Sequence, residues 1–301
     1  MAAVSEALSR FMDSLDRGVT SREDSERLDL VSLEAVTDPA EKDQATDALI
    51  AKLKAPTEDP RLVDALATLR TPTALDALTW ASRGAPTLTR ARAARRLWTI
   101  RRDPNALANL QAVARLDAAI LAEEVLPALL EIGSDEALDV AIGMLEASSL
   151  FAVRTMATSA VFVHYRFDEY DRIPTGAVWS LRLDLASRFP SLRAHAIDTL
   201  RDLVRRRRLG ADDAALGIIA QAADFSTELS AVLSASQDPS QPFDDDTLTS
   251  LSGGDRRFGI DIVLGALERG EARAEKALET LGGERAKLAL ADWRAGRIDP
   301  E

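Results

Sequence analysis

A chain of 301 residues with a formal net charge of −12 is poorly suited to generic affinity for nucleic acid or anionic lipid, because both are bound largely by neutralising phosphate. It has no cysteine and only two histidines, which excludes disulfides and leaves almost no ligands for a structural zinc site. That suits a reducing cytoplasm, the expected compartment, and no metal or other cofactor is expected. Apolar residues make up 46% of the chain but aromatics only 5%, so the apolar content is mainly Ala and Leu, which favour helices over strands.

The amino-terminal stretch Met1–Arg17 carries Glu6, Arg10, Asp13 and Asp16 among apolar residues and predicts an amphipathic helix, not a signal peptide. No stretch approaches the roughly 18 uninterrupted apolar residues that span a bilayer, so a soluble protein with no membrane partner is expected. Further along, a helix end, a turn and a helix start recur in Thr68-Leu69-Arg70-Thr71-Pro72, Thr99-Ile100-Arg101-Arg102-Asp103-Pro104 and Glu131-Ile132-Gly133-Ser134-Asp135. Thr71, Asp103 and Ser134 or Asp135 can cap the free N–H groups of the next helix, and Pro72 and Pro104 suit a first helical position. Between the turns, apolar residues recur at three- and four-residue spacing, as in Leu126, Leu129, Leu130 and Gly133, predicting alternating helices. One such pair cannot bury its apolar stripe alone; stacked neighbours can.

The run Ala128-Leu129-Leu130-Glu131-Ile132-Gly133-Ser134-Asp135-Glu136-Ala137-Leu138 resembles the repeat junction of HEAT-like proteins, including the lyase-type HEAT repeats. Val153-Arg154-Thr155-Met156-Ala157 and Leu192-Arg193-Ala194-His195-Ala196 resemble the second-helix signature of that family, and Thr89-Arg90 approximates it. The resemblance covers about residues 60 to 205. It implies an all-α solenoid of stacked antiparallel helix pairs over 1–301, wound as a right-handed superhelix with second helices on the concave face. An amino-terminal helical cap in 1–55, regular repeats in 56–208, and divergent acidic repeats with a carboxy-terminal cap in 209–301 are expected. A fainter echo of the repeat falls at Ala277-Leu278-Glu279-Thr280-Leu281 followed by Ala286.

Charge is distributed unevenly. Ala77–Arg102 holds no acidic residue but contains Arg83, Arg90, Arg92, Arg95, Arg96, Arg101 and Arg102, whereas residues 103–149 are strongly acidic. A helix over about Thr87–Arg102 places Arg92, Arg95, Arg96 and Arg102 opposite its apolar face. Arginines so close repel each other, so something acidic is expected opposite them: the acidic helices that follow, an external protein surface, or nucleic acid. Arg201, Arg205 and Arg208 make a shorter stripe. Leu209–Asp255 has nine carboxylates and no Lys or Arg, and within it Gln237–Asp246 is a surface loop leading to a short helix capped by Asp246. Its three adjacent aspartates lack the alternating spacing and glycine of a calcium loop. The preponderance of Arg over Lys fits codon use in a GC-rich, bacterial genome and is not itself a functional signal.

The repeat breaks at Phe162–Pro174, which contains His164, Tyr165, Arg166 and Tyr170. Aromatic rings beside charges on a connection suit a binding hot spot, and equally suit filling a gap where the repeat length changes. No nucleophile elbow, phosphate loop, paired-histidine metal motif or dinucleotide fingerprint is present, and no catalytic residue is assigned. The expectation is a non-enzymatic interaction protein, an adaptor, regulator or inhibitor of the immunity type. It would bind another protein through Arg92, Arg95, Arg96, Arg102, His164, Tyr165, Arg166 and Tyr170. Two alternatives come from the resemblance. One is a nucleic-acid binder related to the HEAT-like alkylpurine DNA glycosylases, which Trp98, Trp80 and Trp179 favour and the net charge opposes; the other is a bilin-lyase-like enzyme.

Overall fold

The computed structural model describes residues 5–16, 28–55, 59–116, 118–168, 176–218 and 225–299. These residues form seventeen α-helices and no strand, so the protein is all-α. None of the helices is long and apolar enough to cross a membrane. They group into two compact units, Met1–Val140 and Ala141–Glu301.

The first unit contains α1 (Glu6–Asp16), α2 (Leu30–Glu34), α3 (Pro39–Leu53), α4 (Arg61–Leu69), α5 (Pro72–Gly84), α6 (Thr87–Arg101), α7 (Asn105–Ala114) and α8 (Ala119–Ile132). From α3 to α8 each helix packs on its successor, and each also packs on the helix two places away. Even-numbered helices therefore stack in one layer, α2 on α4 on α6 on α8, and odd-numbered helices in the other. Apolar residues at helical spacing point between the layers: Leu62, Val63, Leu66 and Leu69 from α4, Leu78 from α5, Ala93 and Leu97 from α6, Val125 and Leu129 from α8 are all buried. This is the nearest-neighbour packing of paired-helix repeats.

The turns form as their residues dictate. The Thr71 hydroxyl accepts from the Ala74 N–H at 3.1 Å with Pro72 opening α5, and the Ser134 hydroxyl, not Asp135, accepts from Ala137 N–H at 3.2 Å. Asp103 accepts from Asn105 N–H at 2.9 Å from two positions ahead of α7, so Pro104 stands at the cap position and not at the first helical position expected of it. The residues that close α4, α6 and α8 are Arg70, Arg102 and Gly133, all left-handed at φ 53°, 53° and 63°. Glycine takes that conformation freely, whereas a residue with a Cβ gives up about 1 kcal/mol.

The second unit holds most of α9 (Asp135–Ala147), then α10 (Phe151–Tyr165), α11 (Ala177–Ala186), α12 (Pro190–Arg208), α13 (Thr227–Gln237), α14 (Asp245–Ser250), α15 (Gly253–Glu268), α16 (Arg273–Leu281) and α17 (Glu284–Arg294). α10 also ends left-handed, at Arg166 with φ 60°. The cap of α14 is Asp244, which takes both the N–H and the hydroxyl of Thr247 at 2.9 and 2.6 Å. The sequence placed this cap at Asp246; a threonine three residues after Asp244 makes the earlier aspartate the better acceptor.

The two arginines of the second-helix signature do the same work. Arg154 donates to the Ser149 carbonyl at 2.6 Å and Arg193 to the Ser187 carbonyl at 3.0 Å, while the hydroxyls of Ser148 and Ser187 accept from Leu150 and Phe189 N–H. Each arginine thus pins the turn that precedes its own helix, and both approach the Asp299 carboxylate, at 3.8 and 2.7 Å.

Beyond α12 the stacking order departs from chain order: α11 packs on α15 and α12 on α17, while α13 and α14 pack on α15 and α16. Side chains far apart in sequence hold this arrangement. Asp292, fully buried, accepts from the Ser191 N–H at 2.6 Å and hydroxyl at 2.8 Å, and Glu268 accepts from the Ser187 hydroxyl at 2.7 Å.

Leu66 has no exposed surface and lies in α4, which touches α2, α3, α5 and α6. Leu66→Ala is expected to lower the unfolding free energy by about 2–5 kcal/mol in urea titration. A loss below about 0.5 kcal/mol would show that the layers are not packed at this point.

Candidate functional site

The arginine-rich helix α6 lies in the even layer with α4 on one side and α8 on the other. Its Ala91, Ala93, Ala94 and Leu97 are buried, which turns Arg92, Arg95 and Arg96 outward. Both neighbours meet them with carboxylates. Arg92 pairs with Glu124 of α8 and lies 3.6 Å from Asp64 of α4; Arg96 Nε donates to the same Asp64 at 2.7 Å. Arg95 Nε donates to Glu131 of α8 at 2.9 Å, and that carboxylate also accepts from the Thr99 hydroxyl at 3.1 Å. Burial alone would raise the Glu131 carboxyl, but the Arg95 hydrogen bond and charge outweigh it and hold the group below its ordinary range. Asp59 is likewise held low by Arg61 and Arg92 against the effect of burial. Burial opposes the charge on Arg92, yet Glu124 and Asp64 raise its pKa overall.

The stripe is therefore neutralised within its own layer. Sequence reasoning pointed to the acidic stretch after α6, and α8 supplies Glu124 and Glu131. It did not find Asp64, because only the stacking of α4 on α6 brings that residue to the arginines. Any surface that meets Arg92, Arg95 and Arg96 meets their carboxylates as well. Arg102 differs: it is exposed at the left-handed end of α6, with its guanidinium 5.3 Å from the Trp98 ring centre. The Trp98 Nε1–H is engaged by the Glu131 carbonyl at 3.2 Å.

At the end of α10, Phe162, Tyr165 and Phe167 are buried, with Phe162 edge-on to Phe167 at 5.7 Å and Tyr165 stacked on Phe167 at 6.0 Å. The Tyr165 hydroxyl accepts from Arg208 Nε at 2.8 Å, and Arg207 lies 5.5 Å over Phe167. These rings fill the space between the ends of α10 and α12. His164 meets Tyr165 edge-on at 4.7 Å, and Arg166 is exposed. Tyr170 lies outside the described residues. Of the second stripe, Arg201 pairs with Glu146 at 2.6 Å and Arg205 with Asp202.

In the acidic loop, Asp238 accepts from Ser240, Asp244 caps α14, and Asp245 pairs with Lys276 at 2.5 Å. Among the described residues no group of three or more His, Cys, Asp or Glu is placed to hold a metal ion.

Sequence reasoning missed a buried charge cluster in the second unit. Arg285 of α17 donates through Nε and Nη2 to both oxygens of Asp184 on α11, each at 2.6 Å, and also reaches Asp261 of α15, which accepts from the Ser180 hydroxyl at 2.8 Å. One guanidinium thus serves two carboxylates. Burial pushes the Asp184 carboxyl up to about 6, against the pull of Arg285 and with the Asp261 charge adding to the rise. Burial raises Asp261 too, and the two carboxylates outweigh desolvation to strengthen the charge on Arg285. His195 and Arg257 contribute weaker attraction. A carboxyl that titrates near neutrality suits a general acid, but both Asp184 oxygens are held by Arg285 and the residue is buried. Its chemistry is that of a pin between α11, α15 and α17.

The fold and these surfaces define an all-α protein of stacked helices whose charged faces are ordered from within. Comparison with known protein families, with curated proteins and with solved structures gives no match.

Because folding raises Asp184 from 3.8 to about 6, the folded state holds its proton more tightly than the unfolded chain. This group therefore stabilises most below about pH 4, and its contribution, roughly 3 kcal/mol in all, is lost as pH rises through about 6. Chemical denaturation between pH 4 and 7 is expected to show that decline in wild type and a flatter profile in Asp184→Asn. Identical slopes would exclude Asp184 as the titrating group.

Proposed function

We propose that this chain is a non-enzymatic interaction protein of the HEAT-like kind, an adaptor, regulator or inhibitor that binds another protein along the even-layer surface of its first unit. The observation that supports this reading is the ladder of Asp64, Arg92, Arg95, Arg96, Glu124 and Glu131 across three parallel-stacked helices. Packing and mutual pairing hold its side chains in one arrangement, so a partner that matches them loses little conformational entropy on binding. Alternating signs across the ladder favour register and selectivity over bulk attraction. The nucleic-acid reading loses most of its support, because the arginines that would contact phosphate already carry carboxylates. A cytoplasmic, soluble protein fits this role.

The test is affinity capture on the full chain from native lysate, with and without nuclease, followed by reconstitution of the captured complex from purified components. A partner that survives nuclease and slows amide exchange in α4, α6 and α8 on reconstitution is the expected result. Partners that all vanish on nuclease treatment would overturn the reading in favour of a nucleic-acid binder.

A further inference from the structure

The residue that closes an even-layer helix occupies an equivalent place in each repeat: Arg70 after α4, Arg102 after α6, Gly133 after α8. The backbone there is left-handed, and the chain itself shows at Gly133 that glycine serves. Arginine nevertheless stands at two of the three positions, and at Arg166 after α10 in the second unit. The negative end of the helix dipole accounts for a cation near a helix end, but not for placing it on the one residue whose backbone disfavours a side chain. All three arginines are exposed. Among the described residues, Arg70 and Arg166 make no side-chain hydrogen bond or ion pair, and Arg102 contacts only the Trp98 ring. A few positions away, Arg92, Arg95, Arg96 and Arg101 are all engaged by carboxylates.

We propose that Arg70 and Arg102 form one edge of a docking surface for an acidic segment of a partner protein, each guanidinium taking one carboxylate. This rests on the protein-binding reading above and names its chemistry. Successive helices of a layer are about 10 Å apart, so the edge offers single charges at wide spacing to separate carboxylates, which an arginine fork grips bidentately. A duplex presents a phosphate charge about every 1.7 Å along its axis and is held by many contacts at once. Two guanidiniums do not supply them.

The variants that test this leave the fold intact, because glycine is the residue a left-handed helix end accepts most readily. Arg70→Gly/Arg102→Gly is expected to unfold at the wild-type temperature or above it. The probe is a fluorescent oligoglutamate peptide, read by anisotropy on the full-length chain at low salt. Wild type is expected to bind it, the double variant about tenfold more weakly, and Gly133→Arg more tightly. Arg294→Ala, which removes an exposed arginine paired with Glu275 and Glu279, is expected to bind as wild type does. Equal binding by wild type and the double variant would overturn the proposal, as would tighter binding of an oligothymidylate of the same charge. Because this readout needs no captured partner, its failure removes the edge while leaving the capture experiment to decide the broader reading.

Discussion

A helix with arginine at Arg92, Arg95 and Arg96 can sit in the middle of a layer only if both of its neighbours are acidic where they face it. Asp64 on one side and Glu124 and Glu131 on the other meet that condition. Each half-exposed pair contributes only about 0.5–1 kcal/mol, so the pairs do not hold the stack together; the buried Leu and Ala residues between the layers do that. What the pairs specify is order. An α6 set beside a basic or neutral neighbour would leave its arginines repelling each other, so the charges select which helices stack from among apolar faces that are otherwise much alike.

The second unit solves the same problem with buried groups. Arg154, with no exposed surface, and Arg193 pin equivalent turns, and Asp292, Asp184, Asp261 and Arg285 join helices that packing alone could arrange in other ways. A buried charge left without its partner is costly, so each of these contacts penalises the alternatives strongly. That is how α15 and α17 come to lie against α11 and α12, although α13 and α14 precede them in the chain.

Local features were legible in the sequence. The repeated turns, the helix over Thr87–Arg102, the cap at Thr71 and the all-α class follow from spacing and capping chemistry within a few residues. Non-local features were not. Asp64 reads as one more surface acid until α4 is known to stack on α6, and the Asp184–Arg285 contact joins residues 101 positions apart. The aromatic segment was visible as a break, but whether Tyr165 and Phe167 face partner or core depends on how α10 and α12 meet. Arg70 was hidden for another reason. Glycine is the usual mark of a left-handed helix end, and among the repeated turns only Gly133 carries it; lining up the turns was the one available signal that Arg70 and Arg102 share its place.

The central claim, that the acidic residues of its two neighbours specify where α6 sits in the layer, is tested most directly by exchanging charges at the Arg95–Glu131 pair and measuring unfolding free energy. Arg95→Glu and Glu131→Arg should each destabilise by about 1 kcal/mol, and the double variant should recover at least half of the combined loss. A double variant whose loss equals the sum of the two single losses would contradict the account, since the pair would then contribute nothing to where α6 sits.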